Sequence, residues 1–434
     1  MTRKYLIVCV ILLFGKAVSS QELLTPDEAI SQTIENNFGI KIAKKDIEVA
    51  TNNATRTAVG FGPVVNASAG TSVNLGGSNQ KFSNGNENTV TTAASYSGNA
   101  AVSGTYTIYD QTRNVSLEQL REVLNLTNLQ LRFTIESNIL QLMSRYYEVA
   151  RLASTLQVLD ETMAVSNRRV ERVSYQYEYG QGLRLDILNA EVDVQRDSIN
   201  YYNTKQLLTN AKRDLNVIMG LPIDADFAVD TSVIYQALTL QGLRENLLDD
   251  NIELQLLDKN VHINQYDLQL IEAEKKPTLG ATGTLNYSQQ KNPSTAFITS
   301  SNSRGVNVGL NLSWNLFDGG IRRIRKQNTE IQLQTLQLQR SQLVQELERD
   351  LTNAWESYQN ALFILHSEEI NLSTSQLNFE RTEEQFNLGQ ASSIEFRQAQ
   401  LNLLNAATNL NNAKYDAKLI EINLLQLAGT LLAE

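Results

Sequence analysis

Residues Val306 to Gly320 force two kinds of structure to meet within fifteen positions. Val306, Val308, Leu310, Leu312, Trp314 and Leu316 alternate with Asn307, Gly309, Asn311, Ser313 and Asn315. That period of two marks a strand with one apolar and one polar face. The alternation stops at Asp318-Gly319-Gly320, and no proline follows as far as Leu388. A strand therefore feeds directly into a very long helix, with Asp318 placed to cap its first turn.

The same junction occurs once before. Tyr106-Thr107-Ile108-Tyr109-Asp110 stands 208 residues ahead of Trp314 to Asp318, and a second proline-free stretch follows it. Gly180-Gln181 likewise echoes Gly389-Gln390, and Gly220 precedes Gly429 by 209. The chain is a tandem duplication. It divides into a leader at 1–20, a first repeat at 21–222, a connecting segment at 223–240 and a second repeat at 241–434.

The long stretches carry a strict seven-residue period. Ile135, Leu142, Val149, Leu156, Met163, Val170 and Tyr177 in the first repeat match Val344, Leu351, Tyr358, Leu365, Leu372, Phe379 and Phe386 in the second. All are apolar in a chain that is 42% apolar, so the period is a packing seam of the knobs-into-holes kind. A helix over 111–179 would be a rod of roughly 100 Å at about 1.5 Å per residue. Thr25 to about Ala58, with Pro26 at its first position, and Leu185 to Met219 are half as long. Each repeat is thus expected to pair one long helix with two half-length helices.

Arg3 and Lys4 precede an apolar run from Tyr5 to Phe14, with Val18-Ser19-Ser20 ahead of Gln21, which reads as a secretory signal peptide. The only cysteine, Cys9, lies inside it, which argues against a disulfide-stapled fold. The formal charge is −10 and there is no basic tract suited to nucleic acid. After the leader there is no run of about twenty apolar residues, so a helical membrane span is not expected.

Strands are expected over about 64–75 and 96–109, and over about 278–287 and 305–317, giving two hairpins. Their alternation and the aromatics Tyr106, Tyr109, Trp314 and Phe317 match the length and aromatic girdle of an outer-membrane barrel. Four strands cannot close a barrel, and open edges cannot face lipid. Three or four protomers must pool their strands. The fold expected is mainly α with a membrane β-barrel portion.

The duplicated plan, Phe317-Asp318-Gly319-Gly320, the turn Phe386-Asn387-Leu388-Gly389-Gln390 with Ile394-Glu395 beyond it, and the closing Asn412-Ala413-Lys414-Tyr415 to Ala428-Gly429-Thr430-Leu431 resemble the TolC family of outer-membrane efflux proteins. The resemblance implies a homotrimer with a shared 12-stranded barrel and a periplasmic helical tunnel. It also implies a Gram-negative outer-membrane location and work with a periplasmic adaptor and an inner-membrane transporter of RND or ABC type. Matched to the family's turn motif, Glu395 and Asp186 fall where acids narrow the channel entrance, and Gly180, Gln181, Gly389 and Gln390 fall at the turns that meet the adaptor. Gln398 stands in place of a second entrance acid and Ala391 in place of an arginine tie, with Arg184 and Arg397 as possible substitute ties.

Simpler readings stand beside these. Gly180 and Gly389 fit left-handed helix ends, Asp186 and Glu395 fit first-turn charges favoured by the helix dipole, and Asp110 and Asp318 fit caps. Arg322, Arg323, Arg325 and Lys326 oppose the dipole at a helix start, and fit either lipid phosphates or a solvated face. His262 is isolated, and His366 with Glu369 makes half a metal pair. No catalytic motif, cofactor or metal site is expected. The alternative to a duct is a periplasmic coiled-coil scaffold, which explains the heptads but neither hairpin.

Overall fold

The structure, a computed structural model, describes residues 23–294, 296 and 298–432. The expected leader at 1–20 lies outside the described residues. From its start the chain runs β1 (Leu23–Leu24), α1 (Pro26–Asn36), α2 (Phe38–Asn53), β2 (Val64–Lys81), β3 (Glu87–Tyr109), α3 (Gln111–Glu178) and α4 (Arg184–Met219). It continues with β4 (Ala228–Val229), α5 (Leu240–Asp250), α6 (Ile252–Ala273), β5 (Thr278–Lys291), β6 (Ser300–Ser313), α7 (Ile321–Asn387) and α8 (Ser393–Leu427).

The two long helices carry the heptads as the spacing predicts. Of the fourteen seam residues only Tyr177 is exposed in the protomer. The half-length helix expected over 25–58 is instead broken in two at Asn37. The Asn37 carboxamide oxygen accepts from Ile40 N at 3.1 Å, while its amide nitrogen donates to Ile218 O at 2.8 Å. A side chain that caps the next helix while tying it to α4 outcompetes one continuous helix. Asn251, 214 positions later, likewise caps the second of two helices, accepting from Glu253 N and Leu254 N at 3.0 and 3.1 Å at the start of α6.

The chain falls into two compact units, and neither coincides with a sequence repeat. Among the described residues the first comprises 23–41, 134–250 and 348–432. Its core gathers Ile139, Leu142, Tyr146 and Val149 of α3, Leu215 and Met219 of α4, and Tyr415 and Ile422 of α8. The 223–240 segment is fixed against this unit: β4 pairs in parallel with β1, and the Tyr146 hydroxyl donates to Leu24 O at 2.8 Å. The fully buried Glu421 accepts from Tyr358 OH at 3.1 Å and Gln236 N at 3.3 Å, and pairs with Lys418 at 2.6 Å. Gly220, at φ 69°, closes α4 against α1 so tightly that a Cβ there would lie 2.5 Å from Asn36 O.

The second unit comprises residues 42–133 and 251–347. It holds an antiparallel sheet of order β2-β3-β5-β6, in which the two hairpins join through β3 and β5. The strands differ from the expected bounds at both ends. At the hairpin ends they run further, to Lys81 and from Glu87, and to Lys291 and from Ser300. Ser, Thr and Asn read as loop there, yet the backbone ladder needs no apolar side chain to continue. At the helix end β6 stops at Ser313, not 317, because its partner Thr278 follows Pro277, which has no N–H to extend the ladder. Trp314 and Phe317 therefore stand outside the strand, with Trp314 Nε1 donating to Lys275 O at 2.9 Å.

Candidate functional site

Fixed register lets whole rows be read across the sheet. Val65, Gly104, Gly283 and Val308 form one row, and Ala67, Val102, Leu285 and Val306 the next on the same face. Between them, on the opposite face, runs Asn66, Ser103, Thr284 and Asn307. Over these rows one face presents Val, Leu, Ala and Gly and the other Ser, Thr and Asn. Val306, Val308, Leu310 and Leu312 remain 72%, 79%, 75% and 65% exposed, an apolar surface that water alone does not suit. Tyr106 shares this face in a row with Ala281 and Leu310, and Tyr109 resumes pairing at Leu279 beyond a bulge. β2 and β6 each pair on one side only, leaving two open edges.

Both strand-to-helix junctions are capped by aspartate, in different ways. Asp110 is the cap itself, its Oδ1 accepting from Thr112 N at 2.9 Å. Asp318 acts from three residues ahead of α7 across Gly319 and Gly320, both at positive φ, and accepts from Arg322 N at 3.0 Å and Arg322 Nε at 2.7 Å. The basic cluster that follows is largely neutralised. Arg325 pairs with Glu274 and Lys326 with Glu272 at 3.1 Å, while Arg322 also donates to Glu274 O. Only Arg323 of the four is exposed without an ion pair among the described residues, which removes most of the charge available to lipid phosphate at this point.

The other set of expected residues gathers in the first unit, at the turns that end α3 and α7. Gly180 and Gly389 sit at φ 73° and 75° and close both helices identically. Gln181 N donates to Gln176 O at 2.7 Å and Gly180 N to Tyr177 O at 3.0 Å; Gln390 N donates to Gln385 O at 2.8 Å and Gly389 N to Phe386 O at 3.1 Å. These paired bonds define the Schellman closure, and only glycine takes its left-handed position without strain. Phe379, Phe386 and Phe396 stack beneath the second turn with Val173 and Ala190 of the first, ring centroids 4.8 Å apart for Phe386 and Phe396.

The expected acids lie just past the turns. Glu395 is exposed and closes a capping box with Ser392: it accepts from Ser392 N at 2.7 Å, while Glu395 N donates to Ser392 Oγ at 3.2 Å. The backbone bond to Ser392 holds its carboxyl below the ordinary glutamate range. Asp186 accepts from Leu183 N at 3.3 Å, but Leu183 has no hydroxyl to return the bond. Gln398 is exposed and donates to Asn402 at 2.9 Å. Of the two candidate ties, Arg184 is exposed and makes no ion pair among the described residues.

Arg397, by contrast, is buried and paired. Its Nη1 and Nη2 each donate to Asp197 at 2.8 Å, and its Nε faces Asp193 at 3.6 Å without a hydrogen bond. Arg169, also buried, pairs with Asp193 at 2.7 Å and donates to Ser393 Oγ at 3.0 Å. Ser166 and Gln400 complete the network, Gln400 donating to Thr162 O at 3.0 Å. A bidentate pair and a second arginine thus join α3, α4 and α8 under the turns. Sequence reasoning missed Arg169, Asp193 and Asp197. The available signal was that Asp193 and Asp197 continue the buried stripe of Ala190 at helical spacing.

Comparison with known proteins settles the family. The sequence model of the family described as Outer membrane efflux protein matches residues 29–221 and 243–430. This chain belongs to that family. The channel is 22% identical over 339 residues to Outer membrane protein TolC of Vibrio cholerae serotype O1, with 76% of each chain covered. Its fold matches the outer-membrane channel OprN (16% identity, TM-score 0.71, 93% and 90% of the two chains) and the Campylobacter jejuni CmeC outer membrane channel (14%, 0.71, 94% and 86%). The protein is accordingly an outer-membrane efflux channel with a periplasmic extension, mainly helical with hairpin-built sheet, and a transporter rather than an enzyme. Membership of this family excludes a free-standing coiled-coil scaffold.

Proposed function

We propose that three copies of this chain pool their sheets into one 12-stranded barrel, forming an exit duct that receives cargo from an inner-membrane transporter of RND or ABC type through a periplasmic adaptor. The observation that carries this reading is the pair of open edges on a sheet with a bare apolar face. In lipid each unpaired backbone group costs several kcal/mol, so β6 of one protomer must pair with β2 of the next. The polar face then lines a lumen of Ser, Thr and Asn, which holds no cargo tightly and leaves selectivity to the transporter. Glu395, Asp186 and Gln398 ring the entrance, while Gly180, Gln181, Gly389 and Gln390 present the turns to the adaptor. Light scattering of the detergent-extracted protein should give the mass of three protomers. A stable, folded monomer would overturn the reading.

A further inference from the structure

The sheet carries an uneven charge for a chain of net −10. Its strands hold one acid, Glu87, and three bases, Lys81, Lys291 and Arg304. Lys81 pairs with Glu87 at 2.6 Å, so that at this end of the first hairpin the two charges neutralise one another. Lys291 and Arg304 meet no carboxylate among the described residues, and the register puts both on the apolar face: Arg304 opposite Tyr287, Lys291 opposite Tyr96. They lie at the hairpin end of the apolar rows, away from the Asp110 and Asp318 junctions. Beside Arg304 a shallow groove of about 750 Å³ crosses the strands, lined by Ala69, Ala100, Leu285, Tyr287 and Val306.

An unpaired cation at the margin of a lipid-facing surface lowers its energy by reaching for headgroup phosphate, with tyrosines marking that level. Here two such cations share a face on which the one strand acid, Glu87, is already paired with Lys81, and an apolar slot leads away from one of them. We propose that Arg304 and Lys291 bind the phosphates of an anionic lipid in the leaflet at the hairpin end, whose acyl chain lies in the groove. Lys291 is four strand residues beyond the partner of Arg304, about 13 Å along the sheet. That spacing suits a headgroup with two phosphates better than one with a single phosphate. The inference rests on the apolar face meeting lipid in the trimeric barrel.

The test titrates the detergent-purified channel with a diphosphorylated lipid, counting bound lipid by native mass spectrometry. Each of R304Q and K291Q should weaken binding about fivefold, as expected for one basic residue at a membrane surface, and the double variant about 25-fold. Arg304→Lys should bind like the unmodified channel, and the dephosphorylated lipid should bind it no better than the diphosphorylated lipid binds the double variant. Equal affinity of the double variant and the unmodified channel would overturn the proposal, as would equal binding of phosphorylated and dephosphorylated lipid. Full displacement of the lipid by millimolar inorganic phosphate would mark a free-anion site and overturn it too. Should R304Q fail to assemble, Arg304→Lys and K291Q carry the comparison. Light scattering on the same samples separates the readings: loss of the trimer in the unmodified channel breaks the duct, whereas an intact trimer indifferent to these substitutions breaks only the lipid site.

Discussion

The turns after α3 and α7 close with the same backbone bonds but are held by different side chains. Gly180 and Gly389 share one conformation, and each is followed by a glutamine donating to the third-last residue of its helix. Beyond that the copies diverge. The second turn has Ser392 and Glu395 bonded reciprocally, and Arg397 anchored to Asp197. The first has Leu183 where the serine would be, and Arg184 unpaired at the surface. Duplication fixed the backbone closure, which needs only glycine. The reciprocal cap needs a serine that the first copy lacks, and the arginine anchor needs partners from another helix.

The largest expected difference between the turns lies in the clamp. Removing one partner of a buried ion pair leaves the other charge uncompensated, at a cost of about 3–5 kcal/mol. Arg397→Met should therefore open the α8 side of the second turn, read as faster hydrogen exchange of amides near 388–400, while Arg184→Met should change nothing measurable. The double variant Arg397→Met with Asp197→Leu should recover much of the loss, since an apolar pair leaves no charge stranded at that contact. Equal protection in Arg397→Met and the unmodified channel would mean the turns are held alike after all.

A smaller effect is expected where the copies agree. A Cβ at Gly180 or at Gly389 would touch nothing within 4 Å, so alanine at either position meets only the conformational penalty of the left-handed region. That penalty is about 1–2 kcal/mol. Gly180→Ala and Gly389→Ala should lower local stability by the same amount within about 0.5 kcal/mol, measured by the same exchange experiment. Unequal losses would show that the second turn's extra anchoring already reaches the glycine.

The parts of this molecule that were legible in its sequence are those fixed by local rules. Alternation from Val306 to Leu312 marks one face of β6 as apolar whatever its partners, and the heptads of α3 and α7 mark their seams. The break at Asn37 was not legible, because a mid-helix asparagine is ordinary until Ile218 O is found beside it. The strand extensions past Leu75 and Tyr287 escaped notice because ladder bonds leave no mark on side-chain pattern. Arg397 was visible as a possible tie, but its partners Asp193 and Asp197 lie some 200 positions away on another helix. The hairpin-end cations were legible as charges, and only the register showed which face they share.

The smallest effect decides what Glu395 is for. In the folded chain its carboxyl is held below the ordinary glutamate range by Ser392, so its contribution is present above that range and is lost as pH falls through the lowered value. Protonation also removes any charge it presents to the lumen, so pH alone cannot separate a cap from an entrance acid. Substitution can. Ser392→Ala removes the reciprocal bond, at about 1 kcal/mol of local stability, and keeps the charge; Glu395→Gln removes the charge and keeps a side chain able to accept from Ser392 N. If Glu395 lines the entrance, planar-bilayer recordings should show lower cation selectivity in Glu395→Gln and unchanged selectivity in Ser392→Ala. Leu183→Ser should give the first turn the box it lacks, slowing exchange near Asp186 without touching selectivity. Unchanged cation selectivity in Glu395→Gln, with exchange near 395 as fast as in Ser392→Ala, would leave Glu395 as a cap and make the two turns differ in structure alone.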